Sequence, residues 1–181
     1  MFFDGETSAT LEQASIVATN DFFLGRFTVT LGAGALAYGS LDASGDPYDL
    51  GPGWLGSLGL SWRVLEEDAS TPFIVLSTTL GGLGTRTLRE TDHGSYHAID
   101  FRFGATVGKT FDGWFSPYAS AKLFGGPIFW NVNDELTVGS DQFHIQGSLG
   151  AVFVLPEAVD FFVEGSPGGE QAVFGGMGIR Y

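Results

Sequence analysis

Between positions 99 and 108 the side chains sort by parity into two chemical classes. Ile99, Phe101, Phe103, Ala105 and Val107 fall on one, and Asp100, Arg102, Gly104, Thr106 and Gly108 on the other. A period of two puts successive side chains on opposite faces of a β-strand, so this segment reads as a strand with one apolar face and one polar or tiny face. The same pattern recurs along the chain. Phe115, Pro117, Ala119, Ala121 and Leu123 oppose Tyr118, Ser120 and Lys122, and Phe143, Ile145, Leu149, Ala151 and Phe153 oppose Gln142, His144, Gln146 and Ser148. Earlier, Phe27, Val29, Leu31 and Ala33 oppose Arg26, Thr28, Thr30 and Gly32, and Leu58, Leu60 and Trp62 oppose Ser57, Gly59, Ser61 and Arg63. Towards the end, Val159, Phe161 and Val163 face away from Asp160, Phe162 and Glu164, and Val173, Met177, Ile179 and Tyr181 from Phe174, Gly176, Gly178 and Arg180. Only 72–82 is ambiguous, being apolar on both parities from Phe73 to Leu76.

These segments predict eight strands, near 26–38, 54–65, 72–86, 95–110, 115–129, 142–155, 158–165 and 171–181, in a meander without a helical interlude. Residues 9–19 add a ninth candidate. Connections at 66–71, 110–114 and 155–159 are short, whereas those at 41–53, 88–94 and 130–141 read as longer polar loops. At 181 residues the chain suits one domain spanning 1–181, with 1–24 either an N-terminal tail or an extra strand.

Composition closes off other classes. With 21 acidic against 8 basic residues the net charge is -13, which rules out a cationic surface for gripping nucleic acid. The absence of cysteine removes disulfides, thiolate metal sites and cysteine nucleophiles. No apolar run reaches the roughly 18 to 20 residues of a membrane-spanning helix. The first residues, Met1-Phe2-Phe3-Asp4-Gly5-Glu6, lack a charged segment followed by an apolar one, so any export signal was either removed or lies upstream in a longer gene product.

What separates a soluble barrel from a membrane barrel is which face meets which solvent, because a membrane barrel turns its apolar face to lipid and its polar face to the lumen. The apolar parity is unbroken across the strand centres. Aromatic residues gather at its ends, with Phe27, Trp62, Phe111, Phe115, Phe153 and Tyr181 towards the short turns and Trp54, Phe129 and Phe143 towards the longer loops. Two such girdles are what a membrane interface selects. The expected fold is therefore an all-β, antiparallel, up-and-down transmembrane β-barrel of about eight strands, or nine to ten if 9–19 joins it.

The chain's end, Gly176-Met177-Gly178-Ile179-Arg180-Tyr181, resembles the C-terminal assembly signal of small bacterial outer-membrane β-barrel proteins, with alternating apolar positions and a final aromatic. The segments Gly125-Gly126-Pro127 and Phe162-Val163-Glu164-Gly165 are similar to those of myxobacterial-type barrels. The resemblance implies an outer-membrane location, contact with outer-membrane lipid, and recognition of Met177, Ile179 and Tyr181 by the barrel-assembly machinery. It implies no particular activity.

On the polar parity lie Arg26, Arg63, Asp100, Arg102, Lys122, Asp160, Glu164 and Arg180. Charges in a narrow lumen are costly unless paired, so these eight are expected to form an internal ion-pair network that fills the barrel. The competing reading makes the same groups the lining of a narrow pore or small-solute site. His97 and His144 with Ser95, Ser140 and Ser148 offer the elements of a lipid hydrolase, and Asp42, Asp46 and Asp49 those of a cation site, but neither set has a motif's spacing. No catalytic, cofactor or metal residues are assigned. The function expected is structural or surface-interacting, with a narrow pore, a soluble lipocalin-like carrier or a lipid-modifying enzyme as alternatives.

Overall fold

The computed structural model describes residues 1–3, 7–43, 45–89, 92–133, 135–156 and 158–179. These form thirteen antiparallel strand segments and no helix: β1 (Phe2–Phe3), β2 (Thr7–Leu24), β3 (Phe27–Ala43), β4 (Asp46–Leu50), β5 (Gly53–Leu65), β6 (Phe73–Arg89), β7 (Asp92–Gly108), β8 (Phe115–Gly125), β9 (Pro127–Val132), β10 (Glu135–Ser140), β11 (Ile145–Val154), β12 (Val159–Gly168) and β13 (Ala172–Ile179). All belong to one sheet. Residues 9–19 lie inside β2, which pairs along its length with β3.

The segments outnumber the eight expected strands because β1 and β2 add two and the backbone interrupts three of the other lines. Gly51 and Pro52 separate β4 from β5, Gly126 separates β8 from β9, and 141–144 separate β10 from β11. Proline has no N–H to give a ladder, and Thr85 Oγ1 donates across the first break to the Gly51 carbonyl at 2.7 Å. At the second, a Cβ on residue 126 would collide with the Ile99 carbonyl oxygen, so only glycine fits. The regions read as long polar loops are instead largely strand continuations, in which β4 pairs with β3, β7 with β6 and β10 with β9. Their polar composition reflects an outer face in water.

β3 and β6 each pair with both β4 and β5, so β3, β4, β6 and β5 form a closed four-membered circuit from which the other strands extend. A longer path of pairings also returns on itself. From Val17 on β2 it runs through Gly34, Leu55, Leu83, Ala98, Ile128, Gly139 and Phe3, and comes back to β2 at Thr7, ten residues up the strand. Towards the short turns there is no such closure. There β2 pairs only with β3 and β13 only with β12 among the described residues, leaving a seam between them.

Below the level of Trp54 the alternation resolves as the sequence suggests, with the apolar parity outside. Leu58 is 51% exposed, Phe101 54% and Leu149 65%, whereas Ser116, Ser120, Gln146 and Ser148 are buried. The ambiguous 72–82 follows suit, because Leu76 is opposite Trp62 and Leu80 opposite Leu58. Above that level the faces exchange. Ala37 is an extra residue in β3, since Leu36 pairs with Ser15 and Tyr38 with Ala14, and the bulge turns Leu41 and Ala43 inward. They join Phe3, Leu36, Tyr48, Leu50, Tyr96, Ile128 and Trp130 in a buried cluster. The Trp130 ring meets Tyr48 edge-on at 4.9 Å and Phe3 at 5.4 Å, and its Nε1–H donates to Thr87 Oγ1 at 3.1 Å.

Two outcomes test this description. Gly126→Ala should destabilise the fold by more than the ~1 kcal/mol typical of a single substitution, while Gly147→Ala, with open space around its Cβ, should change little in the same unfolding titration. At the short-turn end, Asp68 accepts hydrogen bonds from the backbone N–H groups of Ser70 (2.7 Å) and Thr71 (2.8 Å) and from Ser70 Oγ (3.0 Å), which hold its carboxyl well below the usual range. A depressed folded-state pKa means that this turn keeps its order above the ordinary aspartate value of about 3.9 and loses it only as pH falls further. The Ser70 and Thr71 amide proton shifts should hold steady from neutral pH to about 4 and move only below it.

Candidate functional site

The barrel interior carries a small set of charged side chains, and inward glycines make room for them. Lys122 on β8 is opposite Gly104 on β7, where a Cβ would press on the Lys122 side chain. Tyr118 leans over Gly150 on β11. The two long side chains thus reach β12, where Lys122 Nζ lies 3.0 Å from Glu164 Oε1 and the Tyr118 hydroxyl donates to Glu164 Oε2 at 2.8 Å. Only 12% of the Glu164 side chain is exposed. Beside them the Ser148 and Ser166 hydroxyls share a bond of 2.8 Å between β11 and β12.

Higher up, Arg102 on β7 makes two ion pairs, one with its own-strand neighbour Asp100 and one with Glu170 in the β12–β13 connection at 2.8 Å. Its guanidinium also sits over the Phe124 ring, 5.4 Å from the centroid. Glu170 is held in place because Gln146 Nε2 donates to its carbonyl at 3.0 Å. Around this group lies a cavity of about 610 Å³. Asp100, Arg102, Asp141 and Glu170 line its polar side, while Leu55, Leu83, Tyr96 and Ile128 form its roof beneath the buried aromatic cluster.

Of the eight expected network members, the structure brings two sets together, Lys122 with Glu164 and Asp100 with Arg102. Asp160 is on the inward face of β12 opposite Gly178, nearer the short turns. Arg26 and Arg63 are corrected: Arg26 pairs with Glu66 at 3.4 Å with both side chains more than half exposed, and Arg63 is exposed, so they stand on the short-turn rim and not inside. The reason is position, since Arg26 precedes the first residue of β3 and Arg63 lies past the last β5 residue paired with β3, at the short-turn end of the sheet. Arg180 and Tyr181 lie outside the described residues. Met177 and Ile179 project outward from β13 and are exposed.

The other candidate sets stay dispersed. His97 is on the outer face, His144 Nδ1 lies 3.1 Å from the Phe124 carbonyl oxygen, and the Ser148 hydroxyl is engaged by Ser166. Asp46 pairs with Arg89 at 2.8 Å and Asp42 accepts the Gly45 N–H at 2.8 Å. No cluster of His, Asp and Glu among the described residues has the geometry of a metal site.

Sequence reasoning missed Tyr118, Asp141 and Glu170 as interior partners. Tyr118 shares parity with Lys122, so its place was available to a reading that counted hydroxyls as well as charges. Glu170 sits in a connection between strands, where parity says nothing. No protein-family model matches the chain, and no curated protein matches it in sequence.

Because Glu164 is mostly buried and Lys122 about three-quarters so, removing one partner strands the other. Glu164→Ala should cost about 2 to 3 kcal/mol of unfolding free energy, the lower end of the range for a broken buried pair, and Tyr118→Phe about 1 kcal/mol. Equal and negligible effects in a denaturant titration would mean that water already solvates both groups.

Proposed function

We propose that the chain is a bacterial outer-membrane β-barrel of structural or surface-interaction type, with eight strand lines closing its outward half. One observation carries the reading. From Trp54 to Trp62 and around the sheet at that height, the outer surface of the strands offers Asn20, Thr78 and, level with Trp54 at the upper border, His97 as polar side chains, and no Asp, Glu, Lys or Arg among the described residues. An apolar belt of that size on a water-exposed surface would drive association, whereas lipid solvates it.

The belt's height agrees. Eight residues separate Trp54 from Trp62, about 26 Å along a strand at 3.3 Å per residue before tilt, close to the ~25 Å band of outer-membrane barrels. Aromatic pairs sit at its lower border, with Phe27 stacked on Trp62 at 6.0 Å and Phe115 against Phe153 at 5.4 Å. Trp54 and Phe143, both strongly exposed, mark the upper one. Above it the outer face carries Glu12, Asp42, Asp46, Asp49, Arg86 and Glu135, groups suited to water. The ten-residue offset of the closed pairing path fits a tilted barrel, because closure requires tilt and stagger together. Met177 and Ile179, facing outward on β13, fit a signal presented to the assembly machinery.

The buried cluster of Phe3, Leu41, Tyr48, Tyr96 and Trp130 favours a plugged barrel over a narrow pore. The charge-free belt weighs against a soluble carrier.

Substitution by arginine separates the faces by height. Leu149→Arg, in the belt, should destabilise the protein in lipid vesicles by about 2 to 4 kcal/mol, while Thr10→Arg, above it, should cost under ~1 kcal/mol. Equal costs would overturn the membrane reading. In planar bilayers the protein should give no steady conductance, and steady single-channel currents would make the aromatic cluster a gate and not a plug.

A further inference from the structure

At the upper border of the belt, Trp54 on β5, Gly84 on β6 and His97 on β7 are direct register partners and share the outer face. With no side chain at residue 84, the two rings lean in over it, and a Cβ there would collide with both Trp54 Nε1 and His97 Nδ1. The indole runs on across Gly82, its ring carbons 3.6 Å from where a Cβ on that residue would stand. Ring nitrogens from two strands are thus brought to one point on the surface. Neither has a hydrogen-bond partner among the described residues.

Arg86 follows Gly84 by two residues on β6 and so projects from the same face, about 7 Å further from the belt at 3.3 Å per residue. Its register partner on β7 is Ser95. The Arg86 side chain is exposed and makes no ion pair among the described residues, whereas Arg26 and Arg89 pair with Glu66 and Asp46. Asp49 stands a further two residues up, opposite Leu88. On a chain of net charge -13, the strip next to the belt therefore reverses the local sign. Below it the surface is apolar. Gly56 and Gly82 lie side by side as a shallow depression, and Leu58, Leu80 and Phe101, all exposed, follow one level down.

At the headgroup level of a membrane the anionic groups are lipid phosphates. An indole is favoured at that depth, and a guanidinium can hold a phosphate through two parallel hydrogen bonds. We propose that Trp54, Arg86, Ser95 and His97 form a site for the phosphate of a lipid headgroup at this border, with an acyl chain lying over Gly82 and Leu80. Arg86 supplies the charge, the Trp54 N–H and the Ser95 hydroxyl donate, and the His97 ring donates through the nitrogen that carries its proton. The proposal rests on the membrane reading, which the Leu149→Arg and Thr10→Arg contrast scores separately. If that contrast appears and the site does not bind, the site alone is wrong.

The test is NMR of the folded full chain in dodecyl maltoside micelles, which contain no phosphate, titrated in parallel with dioleoyl phosphatidic acid, dioleoyl glycerol and inorganic phosphate. The Trp54 indole N–H resonance, assigned by its loss in Trp54→Phe, should shift saturably with phosphatidic acid and stay in place with dioleoyl glycerol. Inorganic phosphate should bind at least roughly tenfold more weakly, because it lacks the buried chain. Arg86→Gln should weaken phosphatidic acid binding by roughly fivefold or more, and Arg26→Gln, at the opposite border, should leave it unchanged. No shift with phosphatidic acid, or an equal one with dioleoyl glycerol, would overturn the proposal. Equal affinity for inorganic phosphate would make this a free-anion site, and equal weakening by both arginine substitutions would reduce it to general surface charge; either result also rejects a lipid-phosphate site.

Discussion

Main-chain hydrogen bonding is the constraint from which the rest of this architecture follows. An open strand edge leaves a row of N–H and C=O groups without ladder partners, and the sheet supplies neighbours for most of its strands. The chain does this by curling, and the curl fixes the geometry of everything inside. Because the pairing path climbs ten residues along β2 in one circuit, the strands are tilted and side chains from distant parts of the sequence meet at one height. Beside that path, the neighbouring strands β8, β11 and β12 bring Lys122 to Glu164, and the β12–β13 connection brings Glu170 to Arg102. Glycine on the inward parity is the other half of the arrangement. A narrow interior accepts a lysine or a tyrosine only where the neighbouring strand offers no side chain, which is why Gly104 and Gly150 stand next to Lys122 and Tyr118.

Parity made the lower half of the molecule legible. The alternation of 99–108 and of the β8 and β11 segments predicts which side chains lie inside, and Asp100, Arg102, Lys122 and Glu164 are all interior. The upper half was opaque for a physical reason. There the outer face meets water and the inner face packs against itself, so the polar parity becomes the exposed one and the residues between Leu41 and Gly53 read as a loop. The break at Gly51 and Pro52 reinforced that reading, since the same pair marks a turn in most contexts. Arg26 and Arg63 share the polar parity of the true interior residues, and what distinguishes them is their place at strand ends, which parity does not encode.

The two halves also differ in what holds them together. The upper half has an apolar centre, with the indole of Trp130 enclosed by Phe3, Tyr48 and Thr87, and it resembles the core of any small soluble barrel. The lower half has ion pairs and hydroxyl contacts inside and hydrocarbon-like side chains outside. Denaturants and salts therefore act on the halves through different terms, because apolar burial and charge pairing respond differently to cosolvents and ionic strength.

The extra residue at Ala37 shows how little sequence is needed to separate two environments. It shifts the pleat of β3 by one place, so the strand obeys one assignment of faces below it and the opposite assignment above. In the language of reading frames, Ala37 is a single insertion that moves the frame from one that turns the apolar side chains outward to one that turns them inward. Without it, the uninterrupted alternation would carry Ser40 and Asp42 into the space occupied by Tyr48 and Trp130, and would turn Leu41 out towards solvent. The height of that one residue along the strand therefore sets where the outer face of β3 changes from apolar to polar.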